Sequence, residues 1–445
     1  MSNKNKVAGA SSSSFSGKWE QDAPTTLLPK LRFPEFRGDD GWKIVEVGDV
    51  FQVTRGEVLS MKLVQQEQTE SNPYPVYSSQ TKNNGLSGFY SDYIFADAIT
   101  WTTDGANAGD VNYRSDKFYC TNVCGVLLSS NGSANTCVAA LINNVARKYV
   151  SYVGNPKLMN GVMSKIPIPL PSLPEQQKIA ECLSSVDELI SAQARKVSAL
   201  KTHKKGLMQQ LFPRVAGASS SKASANREQD APATVKTQPR LRFPEFQNAG
   251  EWEEKALAEI VEVASGQVDP TKPPYCDFPQ IGSENIESNT GKLVNVKSAG
   301  DKGVISGNYA FDENDVLYSK IRPALNKVAA PAFKGICSAD IYPIRPANGG
   351  IQRSYLLYLL LSPKFLEYAI RNSERGKIPK INRDGLLTYK SLIPSLAEQQ
   401  RIADCLTSLD ALISAETQKH EALKTHKKGL MQQLFPSPDA QQIST

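Results

Sequence analysis

The sequence predicts a mixed α/β protein, with two α/β domains joined by two long, antiparallel coiled-coil helices with pseudo-two-fold internal symmetry. The first observation is a repeat: segments 171–213 and 394–436 align without gaps and are identical at 32 of 43 positions. The second is that each copy spaces its apolar residues alternately by four and three, which is typical of a coiled coil. The third is length, since 445 residues exceed one ordinary core and suit two or more domains.

The repeat also predicts the domain boundaries. A second echo, PKLRFPEF from Pro29 and PRLRFPEF from Pro239, precedes two domains whose interiors differ. Ser-, Ala- and Lys-rich composition predicts a disordered N-terminal tail and a flexible central linker. The predicted segments are a tail 1–28, a first domain 29–170, a first repeated helix 171–213, a linker 214–238, a second domain 239–393, a second repeated helix 394–436 and a tail 437–445.

Composition excludes several classes of protein. A net charge of +6 permits a nucleic-acid partner but does not require one. The longest apolar stretch, around 355–361, is far shorter than the roughly 20 residues of a membrane span. No apolar run follows the N-terminal lysines, as a secretory signal would require. Seven cysteines show no disulfide framework, so we expect a reducing, cytoplasmic location.

Each repeated segment is predicted to form one long helix. Pro174 and Glu175 suit a first helical turn. The N–H groups there have no partner within the helix, so proline loses no hydrogen bond, and a carboxylate complements the helix dipole. About 37 residues at 1.5 Å each give a rod of about 55 Å, which would hold two domains at a fixed separation. A coil that joins two separate chains is the alternative. The polar residues that interrupt the two apolar seams are Gln193, Lys204, Glu416, His420 and Lys427.

The two domains are predicted to mix strands and helices. The segment 98–105 is β-rich and ends in an Asp-Gly turn, whereas 316–323 is a strand followed by an extended basic stretch. The segment 355–370 is predicted to be one mostly apolar helix. A duplicated enzyme would be expected to keep its catalytic centre in both copies or to lose it in one. Two domains with similar flanking segments and different interior sequences therefore favour two recognition surfaces.

Catalytic and metal-binding motifs are not found in the sequence. The segment 290–292 (TGK) lacks the upstream glycine of a phosphate-binding loop. Lys272 stands where the Asn/Asp-Pro-Pro-Tyr signature of amino-methyltransferases needs an amide or a carboxylate. Cys120 and Cys124 lack a second pair of zinc ligands, so we expect core thiols. All three histidines lie in the predicted helices, and we expect no catalytic residue, metal or cofactor in this chain.

Polar, amide-rich and basic loops are the remaining candidates for a functional surface. Asn and Gln can form two hydrogen bonds to adenine, and Lys or Arg can meet guanine or phosphate. For each residue alone a solvated turn is the competing interpretation, and sequence does not separate phosphate contacts from base contacts. The candidate DNA-binding residues are Gln80, Lys82, Asn83, Thr102, Thr103, Asp104, Asn107 and Arg114 in the first domain, and Lys320, Arg322, Lys380, Asn382 and Arg383 in the second.

The chain resembles the specificity subunit of type I restriction–modification enzymes over about 31–436. Two recognition domains combined with two EQQ-led helices are a specific combination. Ala397 replaces the Pro174 of the first copy, which is a minor departure. The motifs that carry the resemblance are LPEQQKIA from Leu173, LAEQQRIA from Leu396, YSKIRP from Tyr318, IPKINR from Ile378, YSSQT from Tyr77 and ITWTTDG from Ile99.

The resemblance implies a role in target recognition. Each variable domain would contact one part of a bipartite, asymmetric site in double-stranded DNA, and the helices would set the gap. Two modification subunits carrying S-adenosylmethionine would methylate adenine N6, and restriction subunits would join them to cleave unmethylated DNA. This chain would be a non-catalytic subunit. A coiled-coil adaptor without DNA-reading function, a self-contained methyltransferase or fused restriction enzyme, and an orphan subunit are the alternatives.

Overall fold

The computed structural model describes residues 26–79, 82–212, 239–374 and 376–436, with the backbone only at Thr26 and Lys82. Most of the predicted N-terminal tail, the linker, the C-terminal tail and the candidate residue Gln80 lie outside these residues. Contacts divide the chain into two compact units, unit 1 (Met1–Ala192 with Glu421–Thr445) and unit 2 (Gln193–His420). Each unit therefore combines one variable domain with parts of both repeated segments.

Unit 1 has the strands β1 (Thr26–Leu27), β2 (Trp42–Glu46), β3 (Gln52–Arg55), β4 (Tyr74–Tyr77), β5 (Leu86–Tyr90), β6 (Phe95–Thr102), β7 (Val111–Cys120), β8 (Cys124–Leu128) and β9 (Pro167–Leu170). Six of them form a sheet in the order β3-β8-β6-β7-β4-β5, in which only the β4–β7 pair is parallel. A smaller antiparallel sheet has the order β1-β2-β9. Its strand β1 lies within the segment predicted as a tail.

The core of unit 1 fixes the end of β6. The helices of this domain are α1 (Val47–Val50), α2 (Thr136–Ala146) and α3 (Asn160–Met163). Ile99 and Trp101 of β6 are buried in one cluster with Val138 and Ile142 of α2. The indole of Trp101 donates a hydrogen bond to the carbonyl of Leu158 at 3.0 Å. A buried Trp with a satisfied N–H holds the strand end firmly, and several candidate residues follow it directly.

Unit 2 has the strands β10 (Glu253–Ala256), β11 (Val261–Val263), β12 (Pro279–Ile281), β13 (Lys297–Ser298), β14 (Asn308–Phe311), β15 (Val316–Ser319), β16 (Val328–Ala329), β17 (Gly335–Ser338), β18 (Ile341–Pro346) and β19 (Lys390–Ile393). They form sheets in the orders β10-β19, β11-β18-β15-β16 and β13-β12-β17-β14. The main core lies between the second of these sheets and the helices, with Tyr318, Tyr355 and Phe365 at its centre.

The helices of the second domain correct one prediction. They are α5 (Leu257–Ile260), α6 (Ala299–Lys302), α7 (Arg353–Leu361), α8 (Pro363–Arg371) and α9 (Arg383–Leu387). The prediction of a single helix over 355–370 is wrong, because one helix ends at Leu361 and the next begins at Pro363. Ser362 caps α8 by accepting a hydrogen bond from the Phe365 N–H at 3.2 Å. Pro363, which has no N–H to donate, occupies the first turn of α8, where it is tolerated.

The two variable domains share a strand order despite their different sequences. Strands β3-β8-β6-β7 of unit 1 and β11-β18-β15-β16 of unit 2 are each antiparallel throughout. The pair β2–β9 likewise corresponds to β10–β19. The duplication therefore includes the domains as well as the helices that follow them.

The repeated segments form the long helices α4 (Leu173–Leu211) and α10 (Leu396–Leu434), as predicted. Within unit 2, Lys204 donates to Asp410 at 2.6 Å and Gln193 donates to Glu416. The residue number along α10 therefore falls as the residue number along α4 rises. Within unit 1, Lys427 donates to Asp187 at 2.6 Å. These contacts confirm antiparallel pairing of two helices of the same chain, which is not the arrangement of a coil that joins two chains.

Candidate nucleic-acid interface

The start of each long helix holds its domain through a buried carboxylate. In unit 1, Glu175 accepts hydrogen bonds from Arg32 Nε and Nη2, both at 2.8 Å, and from the Trp42 indole at 3.0 Å. Its side chain is only 1% exposed, so it neutralises a buried guanidinium in addition to lying in the first helical turn. In unit 2, Glu398 accepts the same three hydrogen bonds, from Arg242 and Trp252.

The next residue of each motif connects two helix starts. The Gln176 side chain donates to the Pro171 carbonyl and accepts from the Asn135 amide, both at 3.0 Å. Asn135 is the N-cap of α2. In unit 2, Gln399 donates to the Pro394 carbonyl and accepts from the backbone N–H of Gln352, the N-cap of α7. Sequence reasoning missed these roles, although the echoed LRFPEF motifs and the two Trp residues were a usable signal.

A shared backbone arrangement follows strands β6 and β15, and we call it the strand-end junction (102–105 with 156–158 in unit 1, 319–322 with 379–381 in unit 2). In unit 1, Leu158 N–H donates to the Thr103 carbonyl and Gly105 N–H donates to the Pro156 carbonyl, both at 2.9 Å. The equivalent hydrogen bonds in unit 2 run from Ile381 N–H to the Lys320 carbonyl at 2.9 Å and from Arg322 N–H to the Pro379 carbonyl at 2.7 Å.

A third backbone hydrogen bond and a positive φ complete the match. Thr103 N–H donates to the Val123 carbonyl at 3.1 Å, and Lys320 N–H donates to the Asp340 carbonyl at 2.9 Å. Gly105 and Arg322 both have a left-handed backbone, with φ of 92° and 48°. The junctions thus place Thr103, Asp104 and Gly105 at the positions of Lys320, Ile321 and Arg322. The backbone is shared and the side chains differ.

The unit 1 junction carries a mixed polar surface. Arg55 donates to Thr103 Oγ1 at 3.0 Å and to the Asp104 carboxylate at 3.3 Å. Thr102 and Thr103 are buried, whereas Asp104 is partly exposed. Asn107 donates to the Ser79 carbonyl at 3.3 Å. The structure therefore brings four of the predicted residues together, and it adds Arg55, which sequence reasoning did not single out.

Arg114 lies inside the domain rather than on an open surface. Its guanidinium stacks on Tyr77 at 3.8 Å from the ring centroid and donates to Thr100 Oγ1 at 3.0 Å and to the Asn84 carbonyl at 2.6 Å. Burial lowers the pKa of Arg114 from its usual value. The side chain lines a polar cavity of about 210 Å³. Its contacts give it a role in positioning the neighbouring loop, where Asn83 is exposed and also has a positive φ of 51°.

The unit 2 junction brings three predicted basic residues together. An isolated β-bridge pairs Ile321 with Lys380, so two sequence motifs about 60 residues apart lie side by side. Arg322 is exposed, and within the described residues its guanidinium has no hydrogen bond or ion pair. Lys320 lies 5.3 Å from the centroid of the Tyr342 ring, and the Lys380 ammonium is 3.3 Å from Glu374.

Asn382 and Arg383 have contacts that support the fold. The Asn382 side chain accepts a hydrogen bond from the Gly385 N–H at 2.7 Å and caps α9. Arg383 donates from Nη2 to the Ala264 carbonyl at 2.6 Å. Asn382 stays exposed, so its capping role leaves part of the side chain facing solvent. DNA contact by either residue remains a prediction.

Lys157 is a residue that the sequence analysis missed. It occupies the position of Lys380 in the unit 1 junction, and β-bridges pair it with Asp104 and Ser151. The signal was present in the sequence, because Pro156-Lys157 and Pro379-Lys380 are separated by the same 223 residues as Pro171 and Pro394.

Cys120 and Cys124 are buried thiols of the first domain. Burial raises the pKa of Cys124 to about 11 and that of Cys120 still further, so both thiols are protonated at neutral pH. In the described ranges no cluster of His, Cys, Asp or Glu could hold a metal ion. Within those same ranges, every helix is too short or too polar to cross a membrane.

Comparisons with known proteins point in one direction. The family model described as the type I restriction modification DNA specificity domain matches residues 39–202 and 249–425. The specificity subunit of the type I restriction enzyme EcoDI of Escherichia coli is 28% identical over 273 residues, which is 60% of each chain. That of MjaVIII, from Methanocaldococcus jannaschii, is 23% identical over 437 residues, 91% of this chain and 93% of the relative.

A solved structure shows the same fold. The crystal structure of the type I restriction–modification S subunit from M. genitalium aligns with a TM-score of 0.59 at 14% identity. The alignment covers 92% of this chain and all of the other.

Proposed function

This chain belongs to the family of type I restriction–modification DNA specificity domains, and from that premise we propose that it is the non-catalytic subunit that addresses a modification and restriction complex to a bipartite DNA site. The observation that carries the proposal is the strand-end junction. It recurs in both units with the same backbone hydrogen bonds and with different side chains at the equivalent residues 103–105 and 320–322.

Different side chains on one framework suit an asymmetric target. The position of Thr103 in unit 1 is occupied by Lys320 in unit 2, and that of Gly105 by Arg322. The exposed Arg322 can bind guanine, whereas Gly105 has no side chain and the partly exposed Asp104 beside it can accept a hydrogen bond from cytosine. Each unit is therefore expected to select its own short sequence. A coiled-coil adaptor would not need this divergence at one exposed junction.

The outer faces of the long helices support binding of two copies of one protein partner. Leu189 of α4 and Leu412 of α10 hold the same repeat position and are 57% and 44% exposed. Leu173 and Leu396, also equivalent, are 47% and 46% exposed. Exposed apolar groups at equivalent sites fit identical docking surfaces. We assign them to two modification subunits, which would bind S-adenosylmethionine and methylate adenine in the cytoplasm; restriction subunits would join that core.

The test is selection of DNA by the assembled complex. The chain is co-expressed with its modification subunits, and a random pool of double-stranded DNA is enriched by binding at several salt concentrations. We expect a two-part motif with a fixed gap and an affinity that falls steeply with salt. Enrichment of no motif would refute the proposal and favour the adaptor.

A variant in one unit sharpens the same experiment. Arg322→Ala is expected to relax the selected bases in one half of the motif and leave the other half unchanged. Arg195→Ala, an exposed arginine of α4, is the matched control and should change neither half. An unchanged motif with Arg322→Ala would contradict the assignment of that residue.

A further inference from the structure

The sequence repeat extends beyond the long helices into the strand-end junction. Pro156-Lys157-Leu158 and Pro379-Lys380-Ile381 keep the 223-residue separation of the helices. Short helices α3 and α9 begin at equivalent residues, Asn160 and Arg383. The lysine is thus one of the few side chains that the two junctions have in common.

The two lysines also have the same β-bridge positions, similar exposure and one nearby carboxylate each. Lys157 is bridged to Asp104 and Ser151, and Lys380 to the equivalent Ile321 and Glu374. Their side chains are 52% and 53% exposed. Each has one carboxylate nearby, at 3.9 Å for Lys157 and 3.3 Å for Lys380. Such exposed pairs are weak, so either ammonium group can exchange its carboxylate for another anion at little cost.

The residues around the lysines differ between the units. Thr103, Asp104 and Gly105 face the first lysine, and Lys320, Ile321 and Arg322 face the second. Side chains that distinguish two base sequences must differ, whereas a side chain that meets a common feature can stay the same. The feature that every half-site shares is the phosphate backbone.

We infer that Lys157 and Lys380 bind DNA phosphates at equivalent places of the two half-sites and fix the register of each unit without selecting bases. This inference rests on the proposed function. It separates the junction into a common phosphate contact and variable neighbours that contact bases. It also places one new binding residue, Lys157, in the first domain.

The test uses the assembled complex with Lys157→Gln, Lys380→Gln and the double variant. Each single variant is expected to weaken binding to the selected site and to reduce the slope of log affinity against log salt by about 1, and the double variant by about 2. The selected motif should stay the same in all three. Lys165→Gln is the matched control, because this exposed lysine corresponds to Thr388 in the second copy and should leave the slope unchanged.

The outcomes separate this inference from the proposed function. If the wild-type complex selects no motif, the proposed function fails. If it selects a motif but the variants keep the salt slope, or change the selected bases, the phosphate assignment is overturned. Lys157→Arg, which keeps the positive charge, should have the wild-type slope of log affinity against log salt. Thermal unfolding of each variant checks that the domain is folded.

Discussion

Gln193 donates from its side-chain amide to the carboxylate and to the backbone carbonyl of Glu416, at 2.6 and 2.9 Å. The two residues hold the same position in the two copies of the repeat, so the antiparallel helices meet there at equivalent points. Lys196 adds an ion pair to the same carboxylate at 2.5 Å. A specific polar contact in the seam between two helices favours one register of the helix pair over others.

Glu416→Gln should make stability less dependent on pH. Hydrogen bonds from Lys196 and then Gln193 lower the pKa of the Glu416 carboxyl below its ordinary value of 4.5. A lowered folded-state pKa stabilises the protein above the unfolded-state pKa, and this contribution is lost as the pH falls through the folded-state value. The unfolding midpoints of wild type and variant should differ at pH 7 and converge below pH 4.5. A constant difference would contradict the assignment, and Glu188→Gln, exposed on α4, is the control.

Glu175→Ala should strongly destabilise unit 1. The substitution leaves the buried guanidinium of Arg32 without its carboxylate and the Trp42 indole without its acceptor. Removal of one partner of a buried ion pair costs about 3–5 kcal/mol. Denaturant unfolding measures the loss, with Glu181→Ala on the exposed face of α4 as the control. Glu398→Ala should have a comparable effect in unit 2, and a loss no greater than that of the control would refute the role.

The two equivalent Lys–Asp pairs between the helices should differ in strength. The side chains of Lys204 and Asp410 are 10% and 25% exposed, whereas those of Lys427 and Asp187 are 26% and 46% exposed. Asp410 also accepts a hydrogen bond from the Tyr358 hydroxyl at 2.9 Å. Double-mutant cycles should give a coupling above about 1 kcal/mol for the first pair and below it for the second. Equal couplings would mean that burial does not decide the strength of these pairs.

Arg322→Gly should separate stability from DNA binding. Arg322 has a φ of 48°, which glycine adopts without the roughly 1–2 kcal/mol cost of a Cβ atom. We expect the unfolding midpoint to stay the same or rise while the affinity of the assembled complex for DNA falls. Gly105→Ala, at the equivalent position with φ of 92°, should lower the midpoint instead. A lower unfolding midpoint for Arg322→Gly than for the wild type would show that the arginine side chain supports the fold.

The architecture was predictable because its signals are local or repeated. The seam spacing and the near-identity of the two repeated segments indicated α4 and α10 and their antiparallel pairing, which the helix contacts confirm. Apolar periodicity continues across Ser362 and hides the break there, which only the Ser-Pro pair between the two helices indicates.

The candidate site was less predictable because it depends on contacts distant in sequence. No local pattern places Ile321 beside Lys380, or Thr103 beside Leu158. Arg114 was predicted to be a DNA-binding surface residue because its sequence neighbours are polar, yet the ring of Tyr77 covers its guanidinium. Lys157 could have been found by extending the alignment of the repeat beyond Pro171 toward the N-terminus. Base contacts by the candidate residues of both domains remain predictions.

A genome-wide map of N6-methyladenine, made in cells that carry the modification partner with and without this chain, would decide whether the chain directs methylation. The proposed function predicts a two-part methylated motif that is present only when the chain is present, with halves that respond separately to substitutions in units 1 and 2. A methylation pattern that is unchanged by removal of the chain would contradict it.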